Sequence, residues 1–110
     1  MLTGADAVFK GPVNFALPYA MSKSATHALF VHLATRNDIP EKSDTCCILP
    51  TTIDTPGNRA GMPDADMSTW IPPTKLADLV SAWAKNENRP ANGSFARVSY
   101  QNECVVTSFV

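Results

Sequence analysis

The stretch Thr45-Cys46-Cys47-Ile48-Leu49-Pro50-Thr51-Thr52-Ile53-Asp54-Thr55 decides the fold. From Cys46 to Leu49 the residues are apolar without alternation, the pattern of a strand covered on both faces, as in a parallel sheet. Pro50 stops the run. Upstream, Tyr19 to about Asn37 reads as one long helix, entered through a loop containing Gly11, Pro12 and Pro18. After its first turn this helix is apolar on almost every side, which predicts burial on two faces. Before it, Met1 to Val8 reads as the end of a short buried strand running into a loop, with Gly4 and Ala5 keeping the strand tip slim for close packing. Downstream, Thr51 to Pro73 is rich in proline and glycine and predicts a long irregular loop with one helical turn near Ala65 to Trp70. Structureless loops of that length are usually lids or binding segments. Thr74 then caps a second helix, whose Leu76, Leu79, Val80 and Trp83 fall at i, i+3, i+4 and i+7 and make one apolar stripe. Asn86 and Pro90 close it. Ser94 to Tyr100 and Cys104 to Val110 read as a strand followed by a second strand or extended tail. Strand and helix thus alternate, which predicts an α/β fold with about three strands, a tail and two main helices.

Composition narrows the partners. The 110 residues, 45% of them hydrophobic, suffice for one unit with a real core, and nine basic against ten acidic residues leave a net charge of −1. Scattered charges of this kind offer no footprint for nucleic acid or an anionic membrane. No apolar run approaches the roughly 18 residues of a membrane span, and no basic-then-apolar leader opens the chain. A soluble, cytoplasmic protein is expected. An odd number of cysteines, Cys46, Cys47 and Cys104, argues against a disulfide framework. No metal site is expected either: His27 and His32 stand five apart on a helix and no Cys-x-x-Cys accompanies them.

Two groups of residues carry chemistry. In Tyr19-Ala20-Met21-Ser22-Lys23 a phenol and an ammonium four positions apart share one helix face. A tyrosine is a poor proton relay at neutral pH, but a nearby cation favours its phenolate, which suits general acid/base work. Chance alone gives roughly 0.1 such pairs in a chain of this composition, and a solvated helix surface also explains one. The second group is Pro50 to Thr55, directly after the apolar strand, where a strand's carboxyl end usually meets its ligand. Free amides and hydroxyls there suit an amide such as the carboxamide of nicotinamide, while a turn with an Asp-Thr-Pro capping signal explains the same residues.

The order of these groups, Tyr-x-x-x-Lys at a helix start, a strand, then Pro-x-x-Ile-x-Thr, resembles the short-chain dehydrogenase/reductase family. That resemblance implies the C-terminal part of a Rossmann-like, doubly wound parallel sheet spanning residues 1–110. It also implies roles by position. Tyr19 is the proton donor, Lys23 binds the nicotinamide ribose and makes the tyrosine more acidic, and Pro50, Thr51, Ile53 and Thr55 belong to the segment that holds the carboxamide. Within the family the chain is most similar to the dihydropteridine reductases, on Leu49-Pro50, Asp54-Thr55-Pro56, Asn58-Arg59, Met62-Pro63, Ala65-Asp66, Trp70, Asn88-Arg89-Pro90 and Gly93-Ser94. This narrower resemblance implies hydride transfer from NADH, with NADPH as the variant donor. The substrate is a pterin, quinonoid dihydrobiopterin, which is reduced to tetrahydrobiopterin, and the complete form is a homodimer. Asn58, Arg59 and Trp70 become candidate pterin neighbours, with Trp70 equally placed to anchor the core.

Two departures accompany the resemblance. Many family members carry a catalytic serine about thirteen residues before the tyrosine; here that place is Asp6, and dihydropteridine reductases also lack the serine. Asp6 is expected to face solvent from a loop, with a substitute acid as the alternative. The Gly-rich turn that seats a pyrophosphate on a helix N-terminus is also missing, as is the acidic residue that selects NAD. The family pattern then has the chain starting near its fifth strand, with the N-terminal nucleotide-binding half absent. Two functions follow as expectations: a reductase whose activity belongs to the complete form, or a truncated non-catalytic product that partners a full-length reductase.

Overall fold

A computed structural model describes residues 1–14 and 16–110. Phe15, within the loop expected before the long helix, lies outside the described residues. Four strands form one sheet in the order β1 (Leu2–Thr3), β2 (Cys46–Pro50), β3 (Ser94–Gln101) and β4 (Cys104–Phe109). β1 and β3 both run parallel to β2, with Leu2 opposite Cys47 and Leu49 opposite Arg97. The expected tail is a full strand, β4, and it runs antiparallel to β3. The reason is local: Asn102 and Glu103 both hold positive φ, 50° and 61°, the backbone of a two-residue hairpin turn whose twist matches its strands.

Alternation along the strands divides the core between two faces. Ile48, Ala96 and Val98 point to the face covered by α4 (Pro73–Ala84), where Trp83 and Ile71 are buried with them and Leu76, Leu79 and Val80 pack alongside. Cys47 and Leu49 point to the other face, against Phe30 of α2 (Leu17–Ala34), with Leu2, Ala34 and Phe95 around them. Both faces of β2 are therefore covered, as its unbroken apolar run predicts.

Five local expectations change. The segment after β1 is not a loop throughout, since Asp6–Lys10 form a short helix, α1, in which acid and base stand at i and i+4 and pair. The long helix is Leu17–Ala34, shorter than expected at its C-terminus, and it is not buried on two sides. Only Phe30 is fully covered, because α2 packs on the sheet along one face and leaves Met21, Leu29 and Val31 on its other sides 64%, 52% and 51% exposed. Thr74 does not cap α4; Pro72 stands at the N-cap without a side-chain bond, and Pro73 starts the helix with a φ already suited to it. The lid holds an additional helix, α3 (Pro56–Gly61), besides the expected turn, a 3-10 turn at Met67–Thr69. Pro56 and Gly57, which read as helix breakers, are tolerated in a first helical turn, and the Thr55 hydroxyl accepts the Asn58 N–H as its cap.

The lid is also stitched to the sheet end. Ile53 and Ile71 form a parallel bridge, with Ile71 N–H donating to the Thr52 carbonyl and Asp54 N–H to the Ile71 carbonyl, both at 2.9 Å.

Candidate active site

One face of α2 carries Tyr19, Lys23 and His27 at successive steps of four, so the three side chains stack along the helix toward the tip of β1. The Lys23 ammonium donates to the Thr3 carbonyl at 3.0 Å and lies 5.9 Å from the centre of the Tyr19 ring. His27, one turn further, accepts the Ala5 N–H on Nε2 at 3.2 Å. The tip of β1 allows this approach because Gly4 has no side chain: a Cβ there would stand 2.3 Å from His27 Nε2 and 2.8 Å from a Leu49 methyl. The slim tip expected from Gly4 and Ala5 is thus what lets His27 of α2 approach the strand end closely.

Beside that tip opens a cleft of about 740 Å³. Its floor is made by the carboxyl ends of two parallel strands, Thr3 to Ala5 after β1 and Pro50 to Ile53 at the end of β2, the usual ligand position in an open α/β sheet. Tyr19 and Lys23 form one wall, Asp6 and Lys10 of α1 another, and Asn58 and Met62 of the lid a third. The Thr51 hydroxyl is buried on this floor and finds no hydrogen-bond partner among the described residues. A buried hydroxyl without a partner costs free energy, and a ligand group placed against it removes that cost.

Asp6 is the largest correction at the site. It is 3% exposed, not a solvent-facing loop residue. Its Oδ1 accepts from Arg97 Nε at 2.5 Å and its Oδ2 pairs with Lys10 Nζ at 2.6 Å. Burial pushes its carboxyl up, but the hydrogen bonds and charges of Lys10 and Arg97 outweigh burial and hold it below the usual carboxylate range. A carboxylate held ionised by two cations is unsuited to donate a proton, so the geometry speaks against Asp6 as a substitute acid. It ties α1 to β3 instead. His27 shifts for another reason: burial first, then the nearby Lys23 charge, disfavours its imidazolium.

The residues singled out from sequence fall unevenly. Tyr19, Lys23, Pro50, Thr51 and Ile53 meet at the cleft, joined by Thr52. Thr55 does not line it; its hydroxyl accepts the Asn58 N–H and caps α3. Of the lid candidates, Asn58 reaches the cleft while its amide donates to the Ile53 carbonyl at 2.7 Å. Arg59 is paired with Asp54 at 2.5 Å and 2.8 Å, and Trp70 is a buried core residue. The Asp6–Arg97 pair and His27 were not anticipated. The signal for the first was Arg97, the one charge within the otherwise apolar alternation of β3; for His27 it was the continuation of the Tyr19–Lys23 spacing by another four residues. Burial and the adjacent Cys47 push the Cys46 thiol up to about 11, and burial raises Cys47 as well, which disfavours the thiolate at both.

A mostly parallel α/β sheet, with a Tyr-x-x-x-Lys helix face at the carboxyl ends of its strands, is the arrangement of the short-chain dehydrogenase/reductase class. No family model matches the chain. Dihydropteridine reductase of Dictyostelium discoideum is 36% identical to it over 111 aligned residues, which take in 99% of this chain and 47% of that protein. The chain is similar to that dihydropteridine reductase along nearly all of its own length, and it spans about half the length of the relative it matches. Among the described residues no helix is long and apolar enough to cross a membrane.

Proposed function

We propose that this chain provides the proton-donating, nicotinamide-facing part of an NADH-dependent dihydropteridine reductase, with a quinonoid dihydropterin as substrate and NADPH as a second donor. The observation that carries the reading is the convergence of Tyr19, Lys23 and an unpartnered, buried Thr51 hydroxyl on one cleft at the strands' carboxyl ends. Those residues fit a nicotinamide riboside: Lys23 and Tyr19 to hold ribose hydroxyls, and the Thr51 hydroxyl with the backbone of Thr52 and Ile53 to hold the carboxamide. Bound there, the reduced nicotinamide supplies hydride.

The side chains then have distinct tasks. Tyr19 is 43% exposed at the cleft wall, so its phenol can pass a proton to a substrate nitrogen and recover one from solvent. One hydride and one proton added to a quinonoid dihydropterin give the tetrahydropterin, so no further acid is required. This agrees with Asp6 being held ionised by Arg97 and Lys10. Lys23, anchored on the Thr3 carbonyl, keeps its charge one helical turn from the phenol and stabilises the phenolate left after transfer. Asn58 and Met62 close the lid side of the cleft and are the pterin neighbours in this reading.

Pairing with a second copy is part of the same proposal, supported by the exposed apolar side chains Met21, Leu29 and Val31 on α2. The decisive experiment is NADH oxidation with quinonoid dihydropterin by the full-length protein and by its Tyr19→Phe variant. The expected result is turnover in the first and a loss of about 100-fold or more in the second. Equal rates in the two proteins would contradict the assignment of the proton donor.

A further inference from the structure

We propose that His27 is a positioning residue: its Nε2 latches the strand tip Thr3-Gly4-Ala5 onto α2, and a proton on that nitrogen opens the latch. The catalytic meaning of the latch rests on the reductase reading, but the latch itself does not.

The tip is held from two sides. Gly4 N–H donates to the Ile48 carbonyl at 2.8 Å, which continues the β1–β2 pairing, while Ala5 N–H turns the other way and donates to His27 Nε2 at 3.2 Å. The nitrogen that accepts carries no proton, so the imidazole is neutral with its hydrogen on Nδ1. Once protonated at Nε2, the ring is a donor on both nitrogens, and donor then faces donor across 3.2 Å. The ring cannot turn away freely. It sits edge-on between Phe9 at 5.7 Å and Phe95 at 5.8 Å, and Gly4 leaves no more than the width of a missing Cβ beneath it.

What the latch controls is Lys23. The Thr3 carbonyl that receives the Lys23 ammonium is two residues before Ala5, and Ala5 is also the N-cap of α1, the helix that forms another wall of the cleft. Displacing Ala5 therefore moves the anchor of Lys23 and the start of α1 together. The charged and titratable groups on the surrounding elements are Lys23 on α2, Asp6 and Lys10 on α1, Arg97 on β3 and the Cys47 thiol on β2. Asp6 has both oxygens engaged by Lys10 and Arg97, so the charge that bears on the imidazole is Lys23. That charge and burial both favour the neutral ring, which keeps the latch closed at neutral pH.

The test is heteronuclear NMR on the full-length protein from pH 8 downward. It reads the scalar coupling between the Ala5 amide nitrogen and His27 Nε2, the imidazole nitrogen shifts, and the exchange protection of the Ala5 and Gly4 amides. The expected result is a coupling present at pH 8 with Nδ1 protonated, then lost as the ring titrates. Ala5 protection should fall about fivefold to tenfold at the same time, while Gly4 stays protected. His27→Gln, which offers an acceptor that does not titrate, should keep Ala5 protected without that pH dependence. His27→Phe should lose protection at every pH, with Gly4 protection reporting that the sheet is intact. No coupling at pH 8, Ala5 protection that persists through the titration, or a His27→Phe protein that protects Ala5 like the wild type would overturn the latch. None of these readouts depends on turnover.

Discussion

The two long helices lie on opposite faces of one sheet and are used in different ways. α4 presents a single apolar stripe, and its Trp83, 6% exposed, closes the larger core with Ile48, Ile71, Ala96 and Val98. It contributes no residue to the cleft. α2 is apolar on nearly every side after its first turns, yet only Phe30 is fully covered; Tyr19 and Lys23 of its first half line the cleft, and His27 one turn further bonds the strand tip at Ala5. A helix that only packs can be satisfied by one stripe. A helix that also serves a site gives up contacts where the sheet ends, because its functional side chains must reach the strand tips.

Mutations should separate these uses. The largest expected effect is on the α4 side: Trp83→Ala removes a buried indole and should cost about 3–5 kcal/mol in urea unfolding, while the cleft keeps its shape. A stability loss below about 1 kcal/mol would mean that α4 is not the packing helix. Gly4→Ala should come next, at roughly 1–3 kcal/mol, because its methyl collides with His27 and Leu49. The same change should disturb Lys23 and Tyr19 resonances, which Trp83→Ala leaves in place. Thr55→Ala should cost about 1 kcal/mol through the lost cap of α3. Cofactor affinity should stay unchanged, because Thr55 does not line the cleft.

Acid should also act first on the α2 side. A histidine whose folded pKa lies below its unfolded value stabilises the fold fully above about pH 6.5, and that contribution is lost as pH falls toward the lower folded value. Asp6 is a depressed carboxylate, so its contribution is present above roughly pH 3.9 and disappears only as pH falls through its folded value. Stability followed by chemical unfolding between pH 8 and 3 should therefore decline in two stages. His27→Gln should erase the earlier one and leave the later. Arg59→Ala is the smallest expected effect: its ion pair with Asp54 is on the surface, and no measurable change in stability is predicted.

Much of this architecture was legible from particular residues. The Cys46–Leu49 run marked a doubly covered strand, Leu76 to Trp83 marked α4, and the Tyr19–Lys23 spacing followed by Pro50 to Ile53 marked the cleft. α3 was hidden because Pro56 and Gly57 signal a break in the interior of a helix but are acceptable in its first turn. The character of Asp6 was hidden for a different reason. Its partner Arg97 is 91 residues away, and only the sheet brings α1 and β3 together. Thr55 reads from sequence as part of the ligand segment, whereas in the structure its hydroxyl accepts the Asn58 N–H as the cap of α3 and stands outside the cleft lining. The exposed face of α2 shows the limit of periodicity: it reports which residues seek cover, not which receive it.

In the proposed function the nicotinamide end of a dinucleotide lies on the strand ends between α2 and the lid. The most direct measurement is an NADH titration of the full-length protein with labelled threonine and isoleucine methyls and tyrosine rings. Shifts concentrated at Thr51, Ile53 and Tyr19, with Trp83 and its neighbours on α4 unmoved, are the predicted result. Saturable NADH binding that leaves those three residues unshifted would place the nicotinamide elsewhere.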